Sequence, residues 1–437
     1  MQEPLSFRYN KGMKHILIYT HSFYPHENAN TNVLMPILFE LQKNFIVDIL
    51  TMRWSKTDPL KEEYRGFHIS RYEPVRSFRQ TRYTLGILAL QDRRQIKAAT
   101  TGKLYLKRFL HDLLQMCPKQ IMKRWITETK IPWQPEVEQY LRQHQGVYEI
   151  FFSYGPIPIQ LGIVALACSG YFAANHLRWY VLQFDPYAAY IGNKKIASYL
   201  MKRERQVYQQ ADHVFLSNEL YQENQTNFFS DLQHKMSPLG YVNLRPHEEE
   251  PFVFEHAKEK INCVFTGSLM DMAIRNPAYF YAFAKACGPK YVFHMVCYAM
   301  DTQNKKLKEL LTGNQANILW YGRTPLKDCF RMMKGADVLI NIANRSANQT
   351  PSKIFDYIST GKPIVNFCHL QNDSSMIYLQ RYPAVLHIFE TMEIKQAVHL
   401  FENFCKKMKD IPYAEIESLY ADMQIKSAVK NLYPYLK

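Results

Sequence analysis

Apolar residues along the chain fall into short runs rich in β-branched and aromatic side chains, separated by polar loops and helical stretches. His15-Ile16-Leu17-Ile18-Tyr19 is the first run and Phe45-Ile46-Val47-Asp48-Ile49-Leu50 the second, with a helical pattern over 33–41 between them. Runs this short and this continuously apolar read as strands buried on both faces of a parallel sheet. Further strands are expected over 148–153, 179–184 and 211–216. The uncharged stretch from Gly155 to Leu177 is interrupted by Pro156, Pro158, Gln160, Gly162, Ser169, Gly170 and Asn175. Lying between two strands, it reads as a buried crossover helix and not as a membrane span.

The rhythm lapses from 237 to 260, where Pro238, Gly240, Pro246, Glu248-Glu249-Glu250 and Pro251 mark a linker. A second series follows, with strands over 262–269, 291–296 and 317–321. Arg275-Asn276-Pro277 opens a helix whose Tyr279, Phe280, Phe283 and Ala284 face inward. Strand, polar loop, helix, strand, repeated in two halves, predicts an α/β protein of two Rossmann-like domains. The expected bounds are 1–240 for the first domain and 241–412 for the second, with a helical segment over 413–437.

The last strongly patterned stretch carries the candidate chemistry. Residues 336–341 read as a buried strand and 363–365 as the start of another, with a short helix between them. Thr350 is the expected N-cap and Pro351 the expected first helical residue. Gly361 ends the helix in a left-handed conformation and Pro363 blocks its continuation. Ile354, Phe355 and Ile358 share one face; Ser352, Lys353, Asp356 and Thr360 share the other. A strand-to-helix junction of this kind presents free N–H groups to an anion, and Asp356 lies one turn further in, within reach of a ribose diol. An ordinary crossover with a solvated polar face would show the same pattern.

Composition narrows the class. The chain has 437 residues, enough for two cores. Its eight cysteines show no paired spacing and its N-terminus lacks the order of a signal peptide, so a reduced, cytoplasmic setting is expected. The formal net charge is +15, and residues 71–130 hold 14 Lys and Arg against 4 Asp and Glu, a net +10. There Arg76, Arg79, Arg82 and Tyr83 lead into Leu85-Gly86-Ile87-Leu88, and Lys103, Lys107 and Arg108 interleave with Leu106, Phe109, Leu110, Leu113 and Leu114. This pattern reads as a helical insertion, over about 71–132, resting on an anionic membrane surface. A helical hairpin packed on the sheet with a solvated basic face is the alternative. No nucleic-acid-binding motif accompanies the basic residues, and no nucleic-acid partner is expected.

Pro351-Ser352-Lys353-Ile354-Phe355-Asp356-Tyr357-Ile358-Ser359-Thr360-Gly361-Lys362-Pro363-Ile364 resembles the nucleotide-sugar motif of GT-B glycosyltransferases, especially family 4. Tyr24-Pro25-His26-Glu27-Asn28 resembles that family's opening loop, although Ala29 and Asn30 stand where it usually has glycines. The likeness implies two Rossmann-like domains facing a cleft, the first holding the acceptor and the second the nucleoside-diphosphate sugar, with the helix over 413–437 returning to the first domain. It assigns Asp356 to the ribose and puts Asn348 where a second, sugar-positioning glutamate is usual. Gly267, Ser268, Arg323, Thr350, Pro351 and Ser352 join the implied donor site. Arg275 and Lys353 would carry the diphosphate charge, and Arg275 read by itself is equally a surface charge at a helix start. Asp185, just past a strand, either orients the acceptor or caps the next helix. With no Asp-x-Asp pair, the resemblance implies transfer without a metal or other cofactor and with retention of configuration. The acceptor it suggests is a glycan or a polyprenyl-diphosphate-linked glycan in surface polysaccharide synthesis, at the inner face of a membrane. A non-catalytic GT-B partner protein in a polysaccharide assembly is the second reading.

Overall fold

The computed structural model describes residues 13–26, 29–73, 135–155, 157–185, 187, 194–224, 229–240, 244, 246, 248–269, 275–299, 317–345 and 350–437. The chain forms two compact units. One comprises residues 1–239 with 431–437, the other residues 240–430.

The first unit is built on eight strands: β1 (His15–Thr20), β2 (Ile46–Met52), β3 (Lys61–Tyr64), β4 (Phe67–Tyr72), β5 (Ile150–Tyr154), β6 (Arg178–Gln183), β7 (His213–Leu216) and β8 (Met236–Pro238). Their order across the sheet is β3-β4-β2-β1-β5-β6-β7-β8. All neighbours are parallel except β3 and β4, which form a hairpin. Arg65 and Gly66 close that hairpin with φ of 53° and 79°, the paired left-handed turn that matches strand twist. Every residue of β5 and β7 is buried, which explains the unbroken apolar runs. The helix Ile157–Cys168 follows β5, and no helix among the described residues is long and apolar enough to cross a membrane.

Two sequence expectations change here. Arg71, counted with the basic insertion, is buried in β4. Its guanidinium donates to the carbonyls of Pro59 at 2.8 Å and Tyr24 at 2.6 Å, and it pairs with Glu62. A charge so enclosed by acceptors anchors the loop after β1 and has no part in a surface. The rest of the basic insertion, from 74 to 132, lies outside the described residues. The segment 413–437 is not one helix. It breaks into Tyr413–Leu419, Ile425–Ala428 and short turns, and only 431–437 groups with the first unit. There Tyr180 donates to the Tyr435 carbonyl at 3.0 Å, and Asn431 to that of Pro238 at 2.7 Å.

The second unit holds six parallel strands: β9 (Ile261–Leu269), β10 (Tyr291–Ala299), β11 (Ile318–Trp320), β12 (Val338–Ile342), β13 (Ile364–Cys368) and β14 (Val385–Phe389). The order is β11-β10-β9-β12-β13-β14, so the winding reverses between β9 and β12. Phe283 sits edge-on to Phe293, Phe367 and Phe401, with centroids 6.1, 5.0 and 5.3 Å away. Each of these rings is almost wholly buried, and truncating one to alanine costs about 3–5 kcal/mol in such a core. The strands β9 and β12 are in register only at Val338↔Cys263 and Leu339↔Val264. Beyond that point they part, and a crevice at the carboxyl ends of strands is where such sheets take ligands.

Candidate functional site

One side chain bonds to β9 where β12 has parted from it. Tyr357, on the helix Lys353–Thr360, receives the backbone N–H of Thr266 at 2.8 Å and donates to the Thr266 carbonyl at 3.2 Å. Its hydroxyl thus replaces the strand neighbour that β9 lacks there. Burial pushes the Tyr357 hydroxyl up to about 12, so it keeps its proton and both hydrogen-bonding roles. Ile354, Phe355 and Ile358 are wholly buried beside it. The polar face of the helix is therefore held at a fixed height over the end of β9.

Next along β9, Gly267 has φ of 145°, a conformation glycine tolerates and other residues rarely adopt. A Cβ there would stand 3.8 Å from Arg275 Nη1 and 4.0 Å from Lys353 Cγ. The Arg275 guanidinium and the aliphatic stem of Lys353 therefore both pack against this glycine. Arg275 is only 8% exposed, which rules out a mere surface charge at a helix start. Its Nε and Nη2 donate to Asn344 Oδ1 at 3.1 and 2.8 Å, and Nη1 donates to the Ser268 carbonyl at 2.9 Å. These three bonds fix the plane of the guanidinium. Lys353 Nζ lies 2.9 Å from Asp356 Oδ2 and 5.4 Å from the centre of the Phe330 ring. Gly267, Ser268, Arg275, Lys353 and Asp356 thus come together at the switch point of the second unit.

The remaining expected residues are placed differently. The helix begins at Lys353 with Ser352 as its N-cap, two residues later than expected from Thr350 and Pro351. The carbonyls of Pro351 and Ser352 accept from Ile354 and Phe355 N–H at 3.1 and 3.3 Å, a tightened first turn. Thr350 is buried just ahead of it. Gly361 closes the helix with φ of 74°, as expected. Arg323 is exposed in the turn after β11. Asn348 lies outside the described residues. Asp185, in the first unit, is exposed past the end of β6, and its carbonyl accepts from Gln183 Nε2 at 2.5 Å. Among the described residues no group of three or more His, Cys, Asp and Glu side chains is arranged to hold a metal ion.

Sequence reasoning missed Asn344 and Tyr357. Asn344 lies 69 residues from its partner Arg275, and nothing local marks it. Tyr357 stood in view beside Asp356 and in phase with the apolar face, but a tyrosine there reads as ordinary core.

Chemically, a buried arginine and a lysine beside a glycine have the charge to attract an anion, and a carboxylate one turn away can accept from hydroxyls. No family model matches the sequence, and no curated protein matches it. Solved structures do. HepE from Anabaena in complex with UDP matches with a TM-score of 0.61 at 11% identity, over 97% of this chain and 99% of that one. Sucrose-phosphate synthase from Thermosynechococcus elongatus matches at 0.62 and 10%, over 97% and 99%. The lipopolysaccharide outer core galactosyltransferase WaaB, in its apo form, matches at 0.52 and 10%, over 96% and 98%. At such identities the likeness shows the fold: two Rossmann-like units of the GT-B type.

Proposed function

We propose that the chain is a glycosyltransferase that holds a nucleoside-diphosphate sugar on its second unit and passes the sugar to a hydroxyl of an acceptor. The observation that carries this reading is that the Arg275 guanidinium and the Lys353 stem pack on Gly267 while the Lys353 ammonium pairs with Asp356. HepE, which shares the fold, has been captured with UDP and with UDP-glucose, which favours a uridine nucleotide as the first donor to test. Departure of the sugar leaves negative charge on the diphosphate. Arg275, pre-set by Asn344 and Ser268, and Lys353 would stabilise that charge without reorganising. With two protein cations in that role the reaction needs no metal, and retention of configuration follows the family likeness. The acceptor we favour is a glycan or polyprenyl-diphosphate-linked glycan in surface polysaccharide synthesis, reached from an anionic membrane by the basic segment 74–130.

The test is a thermal-shift and calorimetric panel of UDP, GDP, TDP and CMP, followed by donor hydrolysis with EDTA present. One diphosphate at a hundred times its Kd should stabilise the protein by about 2.7 kcal/mol, and its sugar conjugate should be consumed despite the chelator. No shift with any nucleotide sinks the reading. Activity lost to EDTA and restored by Mn²⁺ sinks the metal-free mechanism alone. Because Asn348 stands where the family has a sugar-positioning glutamate, a binding-only partner protein is the second reading, and tight binding without turnover would select it. The membrane role has its own readout. The protein should float with anionic vesicles at low salt and leave them at high salt, and flotation that ignores salt counts against it.

A further inference from the structure

Each sheet has two edges, and three of the four are guarded. The strand β3 carries Lys61, Glu62 and Glu63. The strand β8 ends in Pro238, whose carbonyl accepts from Asn431 Nδ2 at 2.7 Å. Every residue of β14 is buried or half-buried. Charge, proline and cover all keep a sheet edge from pairing with another chain. At β11 only the shortness of the strand does so. Residues 317–322 carry no charge, and Leu319, Trp320 and Tyr321 are 40, 44 and 42% exposed. With Leu326 they make four of the eight large apolar side chains that stand exposed among the described residues.

The backbone of β11 shows which groups are on offer. Phe293 N–H donates to the Asn317 carbonyl at 2.8 Å, and Tyr321 N–H to that of Met295 at 3.0 Å. Successive residues of a parallel strand address opposite neighbours, so Asn317, Leu319 and Tyr321 face β10. The N–H and C=O of Ile318 and Trp320 therefore point out at the open edge, where no described residue bonds to them. The exposed side chains are already fixed. Trp320 Nε1 donates to the Cys297 carbonyl at 3.0 Å, and the Tyr321 hydroxyl meets His294 Nδ1 at 2.9 Å. Little is left to order when a partner docks.

A second copy of the same strand answers these groups. Set antiparallel about a two-fold axis at Leu319, Ile318 of each copy lies opposite Trp320 of the other. Such a pair exchanges two N–H···O bonds, so every outward group of both residues is met. The two Leu319 side chains face each other in the pair between, where side chains approach closest. Charge favours the same place. At a formal net charge of +15 two copies repel over most of their surface, and a two-fold axis sets like residues against like. An edge without charge is where they can meet.

We propose that β11 is a dimerisation edge, at which two copies of this chain pair antiparallel through Ile318–Trp320 and join their six-stranded sheets. So short a contact makes a weak dimer, with a dissociation constant on the order of micromolar.

The test uses the full chain. Sedimentation over a dilution series should show a reversible monomer–dimer equilibrium. Hydrogen exchange read amide by amide gives the register. In concentrated samples Ile318 and Trp320 should exchange several-fold more slowly than in dilute ones, while Leu319 and Tyr321, which face β10, keep their rates. Leu319→Lys and Leu319→Asp each set like charges across the axis and should each weaken the dimer about tenfold. An equal mixture of the two variants should associate again. If either variant fails to fold, exchange on the wild type still decides. A chain that stays monomeric at every concentration overturns the proposal, and so does a monomer whose β11 amides slow only with another protein added. A dimer that Leu319→Lys leaves intact, or one in which Ile318 and Trp320 exchange no more slowly, puts the contact elsewhere and overturns it too.

Discussion

At the scale of single residues, two side chains in the second unit have separable duties. Asn344 touches Arg275 through one oxygen that accepts two N–H groups, so its effect passes through the guanidinium. Asn344→Ala should leave a buried cation short of acceptors, at about 1–3 kcal/mol. We expect the diphosphate to bind about tenfold more weakly and the free nucleoside to bind as before. Asp356→Ala should do the reverse, weakening both ligands but the nucleoside most, by about ten- to a hundredfold, since charge-assisted bonds to a diol contribute about 1.5–3 kcal/mol each. The loss should be smaller for the diphosphate, because Lys353, now bound to Asp356 at 2.9 Å, would be released toward the phosphates. Calorimetry with the nucleoside and its diphosphate on both variants decides this. Equal losses for both ligands in both variants would mean that neither residue has the assigned duty.

At the scale of elements, the helix Lys353–Thr360 owes its place to Tyr357. Tyr357→Phe keeps the ring but leaves the Thr266 N–H buried without its partner, and should cost about 1–3 kcal/mol of stability. Thermal denaturation checks this, and an unchanged Tm would show that the crevice between β9 and β12 closes without the hydroxyl. The helix was legible in sequence because its apolar phase, Gly361 and Pro363 are local signals. Its true start was not, since a tightened first turn and a capped one use the same residues. The parallel strands were legible because burial on both faces leaves an apolar run. The β3–β4 hairpin was not: Lys61-Glu62-Glu63-Tyr64 is a polar edge strand. Next to it, β2 hides Asp48, which accepts from His68 at 2.8 Å, Tyr148 at 3.0 Å and His15 at 3.2 Å. Asp48 did not hide its strand, because apolar residues flank it on both sides. Asn344 was invisible for a different reason: its role arises from chain segments that only the fold brings together.

At the scale of the molecule, three buried histidines tie both units to pH. Burial pushes His21 and His213 in the first unit and His294 in the second down to about 4. Unfolded, each would titrate near 6.5, so the native protein binds fewer protons between pH 4 and 6.5. Their stabilising contribution is complete above 6.5 and is lost as pH falls through that window. Asp373 works the other way. Burial raises its carboxyl, so its share of stability is lost as pH climbs from 3.8 through the raised value, and three histidines outweigh it. His294 shows the cost most clearly. Asn262 gives its amide N–H groups to the Ala257 and Lys260 carbonyls, which turns its oxygen to His294 Nε2 at 2.9 Å, while the Phe254 ring lies 4.1 Å from the imidazole. A proton added there must be carried in an apolar enclosure, at most about 3 kcal/mol for a shift of this size. Two units need not melt together, and each holds its own histidines, so both transitions should move to lower temperature between pH 6.5 and 4. His294→Gln keeps a donor for Asn262 and cannot be protonated, so it should flatten the pH dependence of the second unit's transition alone. Calorimetric scans across that range on wild type and variant decide it, and a variant profile parallel to wild type in both transitions would remove His294 as the source.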